Sequence, residues 1–469
     1  MKTLRALQEL DKRTEADVYV VGGFVRDFLR NEKNYDLDVV VRNLPIKKIQ
    51  EFLRKYGKTK MVKLSKIKNS FNVEVMLFQG HKDNMVAQIK LPARGKRQIQ
   101  DPNNTLRQDS LHRDYTINAL YMPILAKSRS EIIDYVNGRK DLSEHKIKAV
   151  GNAEERVEEH PGRIMRAISL AARTGFHIDE NTLYALKRGV ERGYLKKIPK
   201  DHIRNELNHI FLCKKPSKYF KLMHTLGILK EIMPELDDCV DVYQDKRYHK
   251  WDVFHHCLYT GDNIEPNIIL RIAGILHDIG KPPTREVSKE KGVTFHKHDM
   301  AGVKLAKKLL TRLGYENKVK KEVLKLIRLH MYHYTRNYSD KAILRFIKKA
   351  EITDDNINNL GDFPLFKLRA AERLGNGFKK VPVTLKQKDF EERIIKVYKK
   401  STALKISDLN IDGKVIMSVF NLEQSEMIGK ILKYLITKVQ DAALKNQDIN
   451  NRIELTKLVA EYLLKHSQK

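Results

Sequence analysis

Residues 18–41 read VYVVGGFVRDFLRNEKNYDLDVVV, and the rest of the chain is organised around them. Val18–Val21 is a β-branched run with the composition of a buried strand. Gly22 and Gly23 follow, and Phe24–Leu29 has the apolar spacing of a short helix. Two glycines at a strand-to-helix turn let backbone N–H groups approach a phosphate closely, at the positive end of the helix dipole. Asp36-Leu37-Asp38 then leads into Val39–Val41. On a strand, residues i and i+2 share a face, so Asp36 and Asp38 present two carboxylates side by side. Such a pair repels itself and stays ionised at low cost only with a cation between, and Mg²⁺ takes hard oxygen ligands of this kind. A phosphate cradle and a carboxylate pair within about two dozen residues point to metal-assisted phosphoryl or nucleotidyl transfer. Either feature alone is a common turn or a solvated strand end; their spacing carries the reading.

The composition agrees with a polyanionic partner. The 469 residues hold 90 Lys and Arg against 59 Asp and Glu, a net charge of +31, spread along the whole chain. That excess suits nucleic acid. A membrane surface fits less well, because the lysines are not gathered on one amphipathic helix. Cys213, Cys239 and Cys257 are far apart and form no CxxC, which suits a reducing cytoplasm and argues against a disulfide framework or zinc ribbon. The first residues, MKTLRALQELDKR, lack the apolar core of a signal peptide. No apolar run approaches the roughly 18 residues that span a membrane.

The expected fold class is α+β. Residues 1–150 mix helices with strand-like runs at Val18–Val21, Val39–Val41, Phe71–Phe78, Tyr115–Met122 and Ile132–Val136. Beyond Ala153 the pattern turns almost wholly helical. A small mixed-sheet head followed by an extended all-α remainder is the architecture this predicts. In the head, Phe71–Phe78 alternates like a strand and sets Glu74 opposite its apolar residues; a solvent-facing glutamate is the alternative to a catalytic one.

GGFVRD followed by DLD resembles the nucleotidyltransferase head of the bacterial-type (class II) CCA-adding enzyme and poly(A) polymerase family. The resemblance implies Asp36 and Asp38 as Mg²⁺ ligands, Glu74 as a third carboxylate, and Gly22, Gly23 and Arg26 around the triphosphate. Ala93–Arg97 with QDSLHRDYTINAL, residues 108–120, is similar to the family's RRDFTINAL element and implies nucleotide-binding roles for Arg113, Asp114 and Asn118. His112 stands where the family has the first Arg of the pair, and an imidazole holds phosphate more weakly than a guanidinium. Glu159-His160-Pro161-Gly162-Arg163, with Arg166 beyond, resembles the EDxxR element that reads the incoming base, with His160 at the Asp position. A carboxylate accepts from the amino group of cytosine or adenine, whereas a neutral His has one acceptor and a protonated His none. The choice between C and A is therefore left open.

The histidines cluster between 249 and 333. DVFHH, LHDIGK, HKHDMAG and RLHM resemble the HD phosphohydrolase module that some members of this family carry. The resemblance implies His256, His277, Asp278, His298 and His330 as ligands of a divalent transition metal such as Mn, Ni or Zn, with Glu372 at the position of a final Asp. Neutral imidazole and carboxylate suit such ions, and metal-activated water would attack a phosphoester. From Leu404 the chain is similar to the family's helical tail, with Gly413 and Gly429 at its turns. The implied domains are a head (1–150), a helical neck for base and RNA (151–240), an HD domain (241–380) and an RNA-binding tail (381–469).

The expected activity is template-independent addition of C and/or A, from CTP and ATP, to the 3′ end of tRNA by a cytoplasmic enzyme. A poly(A) polymerase of the same family, an enzyme acting chiefly as an HD phosphohydrolase on RNA 3′ phosphates, and an RNA-binding module with both sites retired are the alternatives.

Overall fold

The structure, a computed structural model, describes residues 2–34, 36–67, 70–78, 85–94, 99–247, 249–290, 292–332, 338–402, 406–443 and 447–466. It divides into two compact units, Met1–Asp238 with Lys308–Glu316, and Cys239–Lys307 with Asn317–Lys469.

The first unit contains the mixed sheet. Its strands are β1 (Asp17–Val21), β2 (Leu37–Arg42), β3 (Lys58–Ile67), β4 (Ser70–Phe78), β5 (Met85–Lys90), β6 (Leu120–Pro123) and β7 (Ile133–Asp134), in the order β3-β4-β5-β2-β1-β6-β7. Only the β2–β5 pair is parallel. The period-2 alternation sorts side chains between the faces. Val18, Val20, Leu37, Val39, Val41, Val75, Leu77 and Ile89 enter the main core, while Val21, Val40 and Tyr121 gather with Leu106 in a second, smaller cluster. Register then aligns Tyr121, Val21 and Asp38 in one row across three strands.

One expected strand is shorter than its sequence pattern. Tyr115–Met122 reads as continuous, yet Thr116–Asn118 is a 3₁₀ turn and β6 begins at Leu120. The Thr116 hydroxyl is tied to Asp141 at 2.6 Å, and Asn118 N–H closes on the Tyr115 carbonyl. These local bonds compete with the sheet ladder.

The helices that position the sites in this unit are α1 (Gly23–Leu29), α2 (Leu106–Ser110), α3 (Ala153–Glu159), α4 (Arg163–Thr174) and α5 (Lys200–Leu212). The Glu159–Arg163 stretch joins two helices: α3 ends at Glu159, His160 caps it with φ −140°, ψ 89°, and α4 begins at Arg163. Pro161 explains the break, since the residue before a proline is driven out of the α region.

The second unit is helical around its histidines, with α6 (Val253–Asp262), α7 (Ile268–Leu276), the start of α8 (His298–Arg312), α9 (Asn317–Leu329) and α10 (Pro364–Gly375). It also holds a two-stranded hairpin, Arg285–Ser288 with Gly292–Phe295, so the remainder is mostly rather than purely helical. Gly292 turns the hairpin with φ +68°. In the tail, Gly413 opens a helix, Gly413–Phe420, but Gly429 lies inside another, Glu426–Ala443, and marks no turn. Leu409, Ile416, Ile431, Leu435 and Leu455 give the tail a core of its own.

Candidate active site and a histidine centre

The head's polar groups collect at the ends of β1 and β2. Gly22, with φ +75°, leads from β1 into α1, and a Cβ added there would stand 3.0 Å from the Asp38 carboxylate. Only glycine lets the chain turn this closely over that oxygen. Asp38 is half-buried on β2; Asp36 is exposed one residue ahead of the strand, its N–H held by Asn34 Oδ1 at 2.9 Å. Backbone register aligns Glu74 with Lys90, and Lys90 with Val40 beside them, but the Glu74 side chain lies outside the described residues, as do Gly95, Lys96 and Arg97 entirely.

Arg113 approaches from the other end of the row. Its Nε donates to Asp109 at 2.9 Å and to the Tyr121 hydroxyl at 3.0 Å, and its guanidinium lies 5.1 Å from the Tyr121 ring centroid. Burial alone would push this group down, but Tyr121, Asp109 and Asp38 hold it firmly protonated. Its Nη nitrogens have no hydrogen-bond partner among the described residues, so the fork's outer edge is available to an anion. Arg26 is differently employed. It is buried, with Nε and Nη2 each 2.8 Å from Asp27 and Nη1 2.8 Å from Asn118. It braces α1 against the 116–118 turn. Asn118 in turn reaches Asp114, whose carboxylate is held below the usual range by Arg166 and Arg163 against the raising effect of its own burial.

The residues expected to read the base differ in their partners. Arg163 is buried, and three of its donor hydrogens are engaged: Nη1 bonds the Arg156 carbonyl at 2.7 Å and Glu159 at 3.4 Å, and Nη2 bonds the His112 carbonyl at 2.6 Å. Glu159 also receives Arg156 at 2.8 Å. His160 is exposed, its imidazole pulled below the ordinary value by lost hydration and by Arg163. Arg166 is the open cation of the set, its side chain 49 % exposed, 3.2 Å from Asp114 and 3.8 Å from Glu206. Arg156 Nη1 donates to His112 Nδ1 at 3.2 Å, since a guanidinium has no acceptor, and burial followed by Arg156 lowers the pKa of His112.

Sequence reading missed several groups here. Arg173 is depressed by burial and by Arg26, and His209 by burial and by Arg173, with Asp36 within its electrostatic range. The signal was present: Arg166 and Arg173, like His202, Glu206 and His209, recur at helical spacing.

In the second unit four histidines and one aspartate converge. His277 caps the C-terminus of α7, His256 lies on α6, His298 opens α8 and His330 follows α9. Asp278 Oδ2 is 3.2 Å from His277 Nε2 and 3.6 Å from His256 Nε2; Oδ1 is 3.2 Å from His298 Nε2 and 3.5 Å from His330 Nε2. All five are at most 6 % exposed. His277, His298 and His330 each donate Nδ1–H to the carbonyl three residues back, at 2.8, 2.8 and 2.7 Å. A carbonyl can only accept, so Nδ1 of each ring is committed as the donor, and Nε2 is the nitrogen directed at Asp278 that a metal would take. The donor set therefore fits a divalent transition metal, in two groups: His256, His277 and Asp278, and Asp278, His298 and His330. Burial and His277 push His256 down to about 3. Burial would lower His277 too, but Asp278 raises it above its ordinary value. Glu372 belongs to neither group; it faces Arg369 Nη1 at 3.0 and 2.8 Å and is held at about 2 by Arg369 and the histidines despite burial. His333 lies outside the described residues.

Three family profiles match along the chain: a Poly A polymerase head domain over residues 18–148, a probable RNA and SrmB-binding site of polymerase A over 175–240, and an HD domain over 247–360. A multifunctional CCA protein of Neisseria gonorrhoeae is 30% identical over 256 residues, 54% of this chain and 60% of that one. An A-adding tRNA nucleotidyltransferase of Geobacter sulfurreducens is 29% identical over 283 residues, 58% of this chain and 30% of that one. Similarity thus spans at most 60% of these relatives' length. Among solved structures, the Bacillus stearothermophilus CCA-adding enzyme in complex with CTP shares the fold with a TM-score of 0.59 at 17% identity, covering 100% of this chain and 98% of that one. The Thermotoga maritima CCA-adding enzyme complexed with tRNA gives 0.50 at 21% identity, over 98% and 95%.

Proposed function

We propose, from the matches to a Poly A polymerase head, an RNA-binding region and an HD domain in that order along the chain, that this protein is a nucleotidyltransferase that adds C and/or A from CTP and ATP to the 3′ end of tRNA. The observation that carries this reading is the row Tyr121–Val21–Asp38, which sets Arg113 and the Gly22 turn on either side of the carboxylate. When bound by Asp36 and Asp38, two Mg²⁺ supply charge to the leaving pyrophosphate and acidify the primer's 3′-hydroxyl. Arg113 holds triphosphate oxygens through its outer Nη edge. Gly22 and Gly23 let the backbone close over them, and Arg26, through Asp27 and Asn118, keeps that turn rigid. Glu74 is assigned as a third carboxylate. The excess of Lys and Arg binds tRNA through phosphates and shape.

The domain boundaries near 150, 240 and 380 are part of this proposal. The family matches and the separate tail core support them. Among the described residues no helix is long and apolar enough to cross a membrane. Three free cysteines suit the cytoplasm assigned to it.

The test is extension of tRNA lacking its 3′ terminal nucleotides, with each nucleoside triphosphate offered separately. CCA or A addition is expected; long tails from ATP alone would replace this reading with poly(A) polymerase. Extension that survives in an Asp36→Ala, Asp38→Ala variant would overturn the assignment of the carboxylates. The buried histidine centre favours a second activity, phosphoester hydrolysis with Mn, Ni or Zn. Opening of a 2′,3′-cyclic end to a 2′- or 3′-phosphate should vanish in His277→Ala while extension persists.

A further inference from the structure

We infer that the surface where α10 ends and α6 begins is a platform for unpaired RNA, with Phe378 stacking a base and Lys250, Lys379 and Lys380 meeting the phosphates around it. The inference rests on the reading of the partner as RNA and adds to it a contact in the second unit.

Two packed helices make the base of the platform. α6 and α10 lie so close that a Cβ on Gly375 would stand 2.6 Å from the Thr260 nitrogen. Beyond α10 the chain turns through Gly377, φ +87°, and crosses Trp251: a Cβ there would lie 2.4 Å from the indole Nε1 and 2.9 Å from Lys250 Cβ. Arg373 Nε then holds the loop by the Val381 carbonyl at 2.7 Å. Phe378 is left 55% exposed on this anchored loop, and Val381 56%. Trp251, beside it, packs against Tyr259 with ring centroids 5.1 Å apart and carries the Lys250 ammonium 4.7 Å from its ring centroid.

The charge of the surface selects the occupant. Arg373–Lys388 contains five cationic residues and no Asp or Glu. Lys250, Lys379 and Lys380 are exposed and form no ion pair among the described residues. The nearby carboxylates are engaged, Asp245 with Arg247 at 2.6 Å and Asp252 with the His255 N–H at 2.8 Å. Free cations around an open ring suit a single strand, whose phosphates meet the lysines and whose bases can each stack. A duplex hides its base faces and is read by shape and backbone. A second copy of this chain, itself at +31, brings charge of the same sign. The platform also adjoins the histidine centre: Asn376 Nδ2 lies 3.3 Å from His249 Nδ1, and the His249 ring is 5.6 Å from that of His256.

Trp251 is the chain's one tryptophan, so its emission reports on this surface alone. The full chain is titrated with a short oligoadenylate, a blunt RNA hairpin and heparin, and binding of each is followed separately by anisotropy of a dye-labelled copy. Oligoadenylate should change Trp251 emission, and the hairpin and heparin should bind without doing so. Phe378→Ala should weaken the oligoadenylate response about tenfold, the loss of one stacked base. Lys379→Ala with Lys380→Ala should reduce the salt slope of binding by about 1.4, two phosphates at roughly 0.7 each. All three side chains are exposed, so the fold survives their removal. Oligoadenylate that binds with Trp251 emission unchanged, an equal response to heparin, or an unaltered response in Phe378→Ala would overturn the inference and leave the RNA reading intact. Emission that shifts with protein concentration alone, alongside a dimer in sedimentation, would give the face to a second copy. A chain that binds no RNA at all and extends no tRNA would overturn both.

Discussion

Arg163 holds His112 by its backbone: Nη2 donates to the His112 carbonyl at 2.6 Å, deep enough that the side chain is only 7% exposed. The same guanidinium bonds the Arg156 carbonyl at 2.7 Å, so it staples the end of α3 to the segment that carries Arg113. Its absence would leave two buried carbonyls and Glu159 short of a donor. Arg163→Ala should therefore lower unfolding free energy by about 2–4 kcal/mol, read as a lower urea midpoint at unchanged slope. The preference between CTP and ATP among surviving molecules should stay put. A variant of full stability that exchanges CTP for ATP would return Arg163 to base reading.

Gly22 is constrained twice, by φ +75° and by the Asp38 oxygen 3.0 Å from where a Cβ would be. Gly22→Ala strains the backbone, a cost of order 1–3 kcal/mol, and pushes the carboxylate away from the cleft. Since 1.4 kcal/mol is a factor of ten in rate, extension should fall about tenfold or more. The Mg²⁺ concentration for half-maximal rate should rise. Slower extension with an unchanged Mg²⁺ requirement would mean that the glycine serves only the fold.

Much of the head was legible because its signals are local. Val18–Val41 fixes a strand, a turn, a helix and a second strand through β-branching, paired glycines and alternation, and β1, α1 and β2 follow that order. The convergence of His256, His277, Asp278, His298 and His330 was legible in the same way, through HD and HH pairs. What the sequence does not carry is the set of partners made by tertiary bonds. Arg163 and Arg166 look alike in sequence, yet one is consumed by carbonyls and the other faces Asp114. Arg26 looks like a phosphate ligand and is a brace, because Asp27 lies beside it and Asn118 arrives from 92 residues away. Glu372 has the right place in the chain, but Arg369 one helical turn earlier claims its carboxylate.

His112 should make the head acid-sensitive. Its pKa is lowered first by burial, then by Arg156, with Arg163 adding to the effect and Glu159 and Asp109 opposing it. As pH falls the unfolded chain therefore takes the proton before the folded one. The stability that neutral His112 contributes is whole above its ordinary value of 6.5 and is lost as pH drops from there toward the folded value. Urea unfolding at pH 7.5 and 5.5 should show a larger acid loss for the wild type than for His112→Asn. Equal losses would mean that Nδ1 does not need to be unprotonated. His112→Arg, which sets a permanent cation against Arg156, should be less stable than wild type at both pH values.

Gly280 separates packing from chemistry in the second unit. A Cβ there would lie 2.0 Å from the His298 carbonyl and 2.4 Å from the Gly302 nitrogen, both backbone atoms that cannot rotate away. The His277–Lys281 turn must therefore move from the start of α8, separating Asp278 from His298, now 3.2 Å apart. An ion that binds only the folded chain stabilises it by RT ln(1 + [L]/Kd), about 2.7 kcal/mol at a hundredfold excess over Kd. Wild-type protein should gain thermal stability with Mn²⁺ or Zn²⁺, and Gly280→Ala should lose most of that gain as well as baseline stability. Gly429→Ala is the control: it lies inside a helix with nothing within 4 Å of the added methyl, and should be neutral or stabilising with the metal response intact. Extension of tRNA should survive in both variants, because neither residue is in the head. A Gly280→Ala protein that still gains full stability from the metal would show that His298 is not held in place by this contact.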